Sequence, residues 1–372
     1  MRAVADLRIE TIVFSIEQDD TFGYLWVLSY AGLHVLRYTD KGTLEKVDMR
    51  DLVDTHMMYT RICKDREGNL WLSSYDMTYT IFFDNSNVDN YLLPQLKKQM
   101  GWDANILNLS QCRDSIVWFT QDRYGLCLYD LSRDRFADSG LGEVNIIKES
   151  LHKPGVWVNS AHSPHLMRMT QRDMKVQVEE DINIGGVTDI TEDKTGNLWI
   201  ATWGNVQIKR PDSNELVVSG EGIPGIASLA SGTKGEVWGV SGRHIYRLKY
   251  TGGQIVSEVR DSIPGLPEKE EVNGICVDAK GCLWLYTSWG RVLRSDETAA
   301  VFENMLLDNA LDDCTVLGIL SDEEKVWIVT NKKVLQYNLE TQTFLTYSTA
   351  DENIGIDVFR NKAISTDGQG GL

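Results

Sequence analysis

Short runs of alternating apolar and polar residues recur along this chain, and most of them contain a tryptophan. Eight Trp residues follow an apolar residue or lie within an apolar run that ends in a polar residue. These residues are Trp26, Trp71, Trp118, Trp157, Trp199, Trp238, Trp284 and Trp327. Successive members are separated by 45, 47, 39, 42, 39, 46 and 43 residues. A period of about 43 residues matches one four-stranded propeller blade, which takes about 40–45 residues.

Each repeat has the same internal order of predicted strands. An alternating strand such as 187–190 comes first, followed by a polar turn of the form Asp-x-x-Gly, as at 193–196 and 278–281. The Trp strand follows, then a third strand such as 206–210 and a variable fourth strand such as 343–347. Asp and Gly suit a tight turn, because Asp bonds the backbone that follows it and Gly tolerates positive φ. The pattern predicts an all-β fold, a β-propeller of seven or eight four-stranded antiparallel blades.

This fold leads to two expectations about where residues lie. The first strands of the repeats should line a central channel. The eight repeat Trp residues should be structural, each filling the space between neighbouring blades. Truncating one of them to Ala should then cost roughly 3–5 kcal/mol.

The repeats extend over residues 1–372, and the array does not end cleanly. A truncated ninth repeat begins at Phe359, and its Trp strand would start where the sequence stops. We therefore expect the sequence to be a segment of a longer polypeptide. A long spacer at 84–105 is a candidate boundary between two rings. A single ring of seven or eight blades is the simpler interpretation, and a seven-bladed ring beginning near Ile106 is the alternative.

Composition excludes several classes of protein. Apolar residues make up 42% and charged residues 24% of the chain, which is typical of a globular protein. The formal net charge of −17 disfavours binding to nucleic acid. The sequence contains no run of 18 apolar residues, so it predicts no membrane-spanning helix. The six Cys are scattered without a C-x-x-C spacing, so they predict neither a zinc site nor a disulfide framework. His162 and His165 share a loop, but no carboxylate is close in sequence, so we expect surface residues and no metal.

Segments 65–74, 193–202 and 278–287 resemble the two-component regulator propeller repeat, whose pattern is roughly D-x-x-G-x-L-W-I-G-T. The units of Trp118 and Trp157 depart from it, since the first lacks the Asp-x-x-Gly turn and the second has Lys153-Pro-Gly instead. Such repeats are typical of the periplasmic sensor region of bacterial hybrid two-component histidine kinases. The resemblance implies a periplasmic, non-catalytic sensing segment that responds to an oligosaccharide or another small ligand, without a cofactor.

Two other functions stay open at the level of sequence. A protein–protein interaction scaffold is the stronger alternative, because a propeller face also suits a protein partner, and a homodimer through the propeller is left open. A propeller glycoside hydrolase or lyase is the weaker one. The sequence has no G-x-S-x-G elbow, H-E-x-x-H pair, P-loop or G-x-G-x-x-G after a strand.

Three Trp residues lie outside the repeated context and are candidates for ligand binding. Trp203 and Trp289 directly follow the Trp strands of two repeats, in Thr-Trp-Gly and Ser-Trp-Gly. Such turns lie on one rim of a propeller, where an exposed indole offers the flat face on which a sugar ring stacks. Arg123 and Tyr124 occupy the corresponding turn after Trp118, and Trp102 lies in the long spacer. We expect Trp203, Trp289, Arg123 and Tyr124 to share one rim.

Overall fold

The computed structural model describes most of the chain and is all-β. The described residues are 11–18, 24–39, 43–49, 59–64, 70–74, 78–81, 106–111, 115–121, 125–133, 135–260, 263, 266–305, 314–322, 324–348 and 365. They form 31 strands in eight antiparallel sheets, and no helix occurs among them. None of them forms a helix with the length and apolar character needed to cross a membrane. The chain divides into two compact units, Met1–Asn87 and Val88–Leu372.

Unit 1 contains two sheets whose strands pair in sequence order. The first has four strands: β1 (Val13–Gln18), β2 (Leu25–Ser29), β3 (Gly32–Tyr38) and β4 (Leu44–Val47). The second has three described strands: β5 (Arg61–Lys64), β6 (Leu70–Ser73) and β7 (Thr78–Ile81). One apolar cluster joins Trp26 and Leu28 of the first sheet to Leu70 and Leu72 of the second. The sheets of unit 1 are therefore held face to face by their Trp strands.

Unit 2 contains six four-stranded sheets, each of four consecutive strands in sequence order. The first three sheets comprise β8 (Ile106–Gln111), β9 (Ile116–Gln121), β10 (Gly125–Asp130) and β11 (Arg135–Asp138); β12 (Val144–Glu149), β13 (Val156–Ser160), β14 (His165–Arg172) and β15 (Lys175–Asn183); β16 (Val187–Glu192), β17 (Leu198–Thr202), β18 (Val206–Lys209) and β19 (Leu216–Val218). The last three comprise β20 (Ser228–Ser231), β21 (Val237–Ser241), β22 (His244–Thr251) and β23 (Gln254–Arg260); β24 (Val272–Val277), β25 (Leu283–Thr287), β26 (Val292–Ser295) and β27 (Phe302–Asn304); β28 (Val316–Ser321), β29 (Lys325–Thr330), β30 (Lys333–Asn338) and β31 (Phe344–Ser348). Four-stranded antiparallel blades of this kind confirm the predicted propeller class.

Six of the eight repeat Trp residues pack against the next sheet of the same unit, namely Trp26, Trp118, Trp157, Trp199, Trp238 and Trp284. Trp199 of β17, for example, clusters with Val237 and Leu248 of the next sheet, and Trp284 of β25 lies 5.1 Å from the ring of Tyr337. Seven of the eight repeat Trp residues are buried: Trp26, Trp118, Trp157, Trp199, Trp238, Trp284 and Trp327. Each of these side chains contributes a large apolar area to the core.

Trp71 is the exception, and the expectation that it is buried is wrong. Its side chain is 41% exposed, whereas Leu70 and Leu72 on either side of it are buried. Those two leucines face Trp26 across the space between the two sheets of unit 1. Because strand residues alternate between faces, Trp71 points away from that core. No third sheet lies on that face among the described residues of unit 1.

The Asp-x-x-Gly turn and the Trp six residues after the Asp form one hydrogen-bonded unit. The Asp193 carboxylate accepts bonds from the backbone N–H of Thr195 (2.8 Å) and of Asn197 (3.1 Å) and from the Trp199 indole (2.7 Å). Asp278 accepts the Trp284 indole N–H at 3.0 Å in the same way. Burial acts to raise the pKa of Asp193, but the hydrogen bonds from Thr195, Trp199 and Asn197 outweigh it and lower that pKa. The turn and the core are thus fixed by one carboxylate.

The repeat of Trp157 lacks that Asp, and the next repeat supplies the acceptor. The Trp157 indole donates to Glu192 Oε1 at 2.6 Å, across 35 residues of sequence. The other oxygen of Glu192 accepts the backbone N–H of Leu151 (2.7 Å) and of His152 (3.2 Å). Both belong to the loop that replaces the Asp-x-x-Gly turn. Glu192 therefore fixes the loop and the Trp of the preceding repeat, as Asp193 fixes the turn and the Trp of its own repeat.

A second recurring feature runs across the second, third and fourth strands of three sheets. An Arg pairs in register with the repeat Trp on one side and with a Glu on the other. The rows are Trp157–Arg168–Glu180, Trp238–Arg247–Glu258 and Trp284–Arg294–Glu303. In the last two the guanidinium lies 5.5 Å from the centre of the Trp ring. A cation over an indole face is favourable, and so the rows join apolar core to charged surface.

Candidate functional site

The turns between second and third strands in unit 2 are tied to the linkers that precede the same sheets. A backbone N–H of the turn donates to a linker carbonyl at Ala161–Glu143 (3.0 Å), Trp203–Gly186 (3.0 Å), Ser288–Glu271 (2.8 Å) and Asn331–Thr315 (3.0 Å). We call these turns with their linkers the turn rim. It holds two of the Trp residues singled out above.

Trp203 projects from the turn rim on a rigid base. Its side chain is 81% exposed. A Cβ on Gly186, where φ is +69°, would lie 3.6 Å from Cδ2 and Cε3 of the indole, so the ring rests against that glycine. A Cβ on Gly225 would lie 2.2 Å from the Trp203 carbonyl oxygen, a distance that no side chain tolerates. The exposed indole is therefore held by close backbone contacts.

The indole of Trp203 borders an open concavity of about 480 Å³. The side chains that line it are amides and a hydroxyl, from Asn183, Thr202, Asn205 and Gln207, beside the backbone of 184–186. Gln207 Nε2 donates to Asn205 Oδ1 at 3.1 Å, and Thr202 Oγ1 donates to the Asn205 carbonyl at 3.0 Å. No charged side chain among the described residues contributes to this lining. We call it the Trp203 concavity.

Trp289 occupies the corresponding turn two sheets further on, and its side chain is 58% exposed. A buried carboxylate, Glu270, supports that turn by accepting the Thr287 hydroxyl and by pairing with Arg291 Nε at 3.4 Å. Ser288 Oγ in turn accepts the N–H of Glu271 at 3.1 Å. The turn is fixed to the linker on both sides of its Trp. The sheet β20–β23 separates this turn from that of Trp203.

The remaining predicted binding residues, Arg123, Tyr124 and Trp102, lie outside the described residues. That Arg123 and Tyr124 extend the surface of Trp203 stays a prediction.

His162 lies in a loop and His165 is the first residue of β14, and each has a carboxylate near it in space. His165 Nδ1 lies 2.8 Å from Asp181 Oδ1, and His162 Nε2 lies 3.8 Å from Glu143 Oε2. These carboxylates are distant in sequence and approach through the strand pairing and the turn rim. Across the described part of the chain, no three His, Cys, Asp or Glu side chains form a group that could hold a metal ion.

The first strands of all six sheets in unit 2 surround a cavity of about 410 Å³. Its polar lining includes Asn108, Lys148, Asp189, Ser228 and Tyr286. The Lys148 ammonium lies 2.7 Å from Asp189 Oδ1, and Asp189 Oδ2 accepts the Leu229 N–H at 2.7 Å. These bonds join three consecutive sheets. We call this space the central cavity.

Sequence reasoning missed the polar residues of the central cavity, although one signal was present. Tyr286 stands two residues after Trp284, where the other Trp strands of unit 2 carry Thr120, Asn159, Ala201, Val240 and Val329. Only strand register shows that Tyr286 pairs with Gly274, which has no side chain to block it.

The sequence profile of the two component regulator propeller matches residues 54–76 and 181–204. The second segment includes Asp193, Trp199 and Trp203, which the structure links through one turn and strand. A comparison with curated protein sequences finds no match.

Solved structures with a similar fold include two extracellular domains of hybrid two component systems from B. thetaiotaomicron. One has a TM-score of 0.60 at 18% identity, covering 97% of this chain and 49% of that chain. The other has a TM-score of 0.53 at 17% identity, covering 90% and 48%. This chain thus spans about half the length of either structure.

Hydrazine synthase from Kuenenia stuttgartiensis also shares the fold, with a TM-score of 0.53 at 11% identity, covering 78% of this chain and 94% of that chain. Hydrazine synthase and the two extracellular domains therefore share this architecture, so the architecture by itself does not indicate a function. The chain is a β-propeller protein that contains two-component regulator propeller repeats.

Proposed function

We propose that this chain is the extracytoplasmic, periplasmic sensing segment of a hybrid two-component signalling protein, and that it binds an oligosaccharide without altering it. Two observations support the signalling context. The repeat motif matches at two places, and two structures with this fold are described as extracellular domains of hybrid two component systems.

The observation that carries the ligand proposal is the Trp203 concavity. The indole is 81% exposed and is braced against Gly186, so its face is held open to a ligand. A sugar ring has an apolar face that stacks on indole and hydroxyls that bond to amides. Asn183, Asn205 and Gln207 supply those amides next to the ring. Stacking and amide recognition together favour an uncharged glycan segment.

Titration calorimetry of a glycan panel against the full chain tests this proposal. The Trp203→Ala variant should weaken binding of the positive glycan by roughly 1–3 kcal/mol, as expected for a modest hot spot. Val301→Ala is the matched control, because Val301 is also an exposed apolar residue but lies outside the concavity. The proposal is wrong if no glycan binds, or if Trp203→Ala binds as tightly as the control.

The absence of turnover needs its own measurement. A bound glycan incubated with the protein should be recovered at unchanged length, with no new reducing ends and no unsaturated product. Release of either product would replace the sensor proposal with a hydrolase or a lyase.

A further inference from the structure

We propose that the central cavity is a second ligand site, which takes a small uncharged polyhydroxylated molecule of about the size of a monosaccharide. This proposal does not rest on the Trp203 concavity. No residue belongs to both linings, so either site can fail without the other.

The central argument is the pairing of Tyr286 with Gly274. Tyr286 belongs to β25, the second strand of its sheet, yet it lines the cavity that first strands surround. A Cβ on Gly274 would lie 2.3 Å from Tyr286 Cε1, 2.9 Å from Cζ and 3.0 Å from the phenol oxygen. The ring therefore crosses the first strand through the space that a missing side chain leaves. Any residue other than glycine at 274 would displace it.

The phenol group is suited to neutral ligands. Burial raises the pKa of Tyr286, and the negative charge of Asp189 raises it further, to about 12. The hydroxyl hence stays protonated at neutral pH and can both donate and accept a hydrogen bond. Ser228 and the exposed amide of Asn273 add further groups that can do both.

Charge in the cavity disfavours anions. Among the residues that the structure describes, its lining contains Asp189, Glu149 and Glu192 and one cation, Lys148, which already pairs with Asp189 at 2.7 Å. Glu192 is occupied by the Trp157 indole and by the Ser150 hydroxyl at 2.8 Å. A carboxylate or sulfate group would therefore meet net negative charge.

Size favours a small molecule over a polymer. The volume of about 410 Å³ is at the lower end of the range of small-ligand pockets, which run from about 300 to 1,000 Å³. First strands from six sheets line the space, so a ligand there would lie between strands of several sheets.

Ligand-observed NMR and calorimetry with the full chain test the proposal. The probes are the neutral sugars D-glucose, D-galactose, D-mannose, D-xylose and L-arabinose, with D-glucuronate as the anionic counterpart of glucose. We expect at least one neutral sugar to bind and glucuronate to bind more weakly than glucose. Tyr286→Phe removes one oxygen atom and should weaken binding about two- to tenfold, the usual range for a single hydrogen bond.

Three variants distinguish binding in the central cavity from binding elsewhere on the protein. Gly274→Ala should weaken binding at least as much as Tyr286→Phe, provided that its circular dichroism matches wild type. If it does not fold, Tyr286→Phe alone decides. Tyr250→Phe is the matched control on β22, away from the cavity, and it and Trp203→Ala should bind like wild type. Failure of every neutral sugar to bind, or unchanged binding by Tyr286→Phe, overturns the proposal. Loss of monosaccharide binding in Trp203→Ala overturns it as well.

Discussion

Carboxylates in this protein hold indoles as well as cations. Asp193, Asp278 and Glu192 each accept the N–H of a buried repeat Trp at 3.0 Å or less. A buried indole N–H without an acceptor would cost about 1–3 kcal/mol. Each carboxylate also accepts hydrogen bonds from backbone N–H groups of a turn or loop. One side chain therefore stabilises both the turn and the core. The result is a core Trp whose orientation is set by hydrogen bonds and not by packing alone.

Glu180 holds three cations in a comparable way. It lies 2.6 Å from Lys153 Nζ, 3.0 Å from Arg168 Nε and 2.9 Å from Lys209 Nζ. Burial acts to raise its pKa, but the hydrogen bonds from Lys153, Lys209 and Arg168 prevail and lower that pKa from 4.5 to about 2. Its charge therefore stabilises the fold above pH 4.5, and the contribution disappears as the pH falls toward 2.

We expect Glu180→Gln to reduce the free energy of unfolding at pH 7 by roughly 2–3 kcal/mol, since one pKa unit corresponds to about 1.36 kcal/mol. The deficit relative to wild type should shrink when urea unfolding is measured at successively lower pH between 4.5 and 3. Glu258→Gln is the matched control. Glu258 holds the same place in its own row but is exposed and 3.7 Å from Arg247, so its loss should cost under about 1 kcal/mol. A Glu180 deficit that is independent of pH would contradict this account.

At the scale of the element, the Trp in strand β17 is buried, whereas the Trp in the turn that follows it is exposed. Trp199 in β17 is fully buried against the next sheet, and Trp203, four residues later, begins the turn and is 81% exposed. The difference arises because β17 ends at Thr202, whose hydroxyl accepts the Asn205 N–H at 3.2 Å and closes the turn. The strand side chain packs in the core, and the turn side chain is exposed.

Urea unfolding of two variants checks this division. Trp199→Ala should lower the free energy of unfolding by about 3–5 kcal/mol, because it leaves a large cavity between sheets. Trp203→Ala should change it by no more than about 0.5 kcal/mol, as for other exposed positions. Comparable losses in the two variants would mean that Trp203 is a core residue, and the Trp203 concavity would cease to be a candidate site.

The sequence could predict the elements of this fold because each repeat contains its own strand pattern and turn. The strands expected at 187–190, 206–210 and 343–347 correspond to β16, β18 and β31. Features that depend on a neighbouring repeat could not be predicted. Trp71 is exposed, and the Trp157 indole donates to Glu192, because of which sheets lie next to each other. The pairing of Tyr286 with Gly274 could not be predicted either, although both belong to one repeat, because it depends on the strand register.

At the scale of the whole molecule, the chain divides into two compact units, Met1–Asn87 and Val88–Leu372. A boundary between two rings at 84–105 stays a prediction. The number of blades stays a prediction. The Trp203 concavity, the Trp289 turn and the central cavity all belong to Val88–Leu372. Each of the six sheets there shares an apolar cluster with a neighbour within the same unit.

A protein comprising residues 88–372 should consequently fold on its own and keep the ligand behaviour of the full chain. Far-UV circular dichroism should show a β-rich spectrum, and the dissociation constant for any glycan that binds the full chain should agree within about twofold. The full chain measured in parallel is the reference. An unfolded fragment, or a folded one that no longer binds, would show that unit 1 contributes to stability or to recognition.

The bond from the Trp157 indole to Glu192 has a consequence for how such arrays change over time. Duplication and exchange of whole repeats work when every repeat is self-sufficient, as the one with Asp193 and Trp199 is. The Trp157 repeat instead depends on the next repeat, because the acceptor of the Trp157 indole N–H, Glu192, lies 35 residues downstream. A deletion, insertion or recombination at the boundary between these two repeats would leave the buried indole N–H of Trp157 without its acceptor. The two repeats are therefore not interchangeable with others, and engineering that swaps blades should move them together.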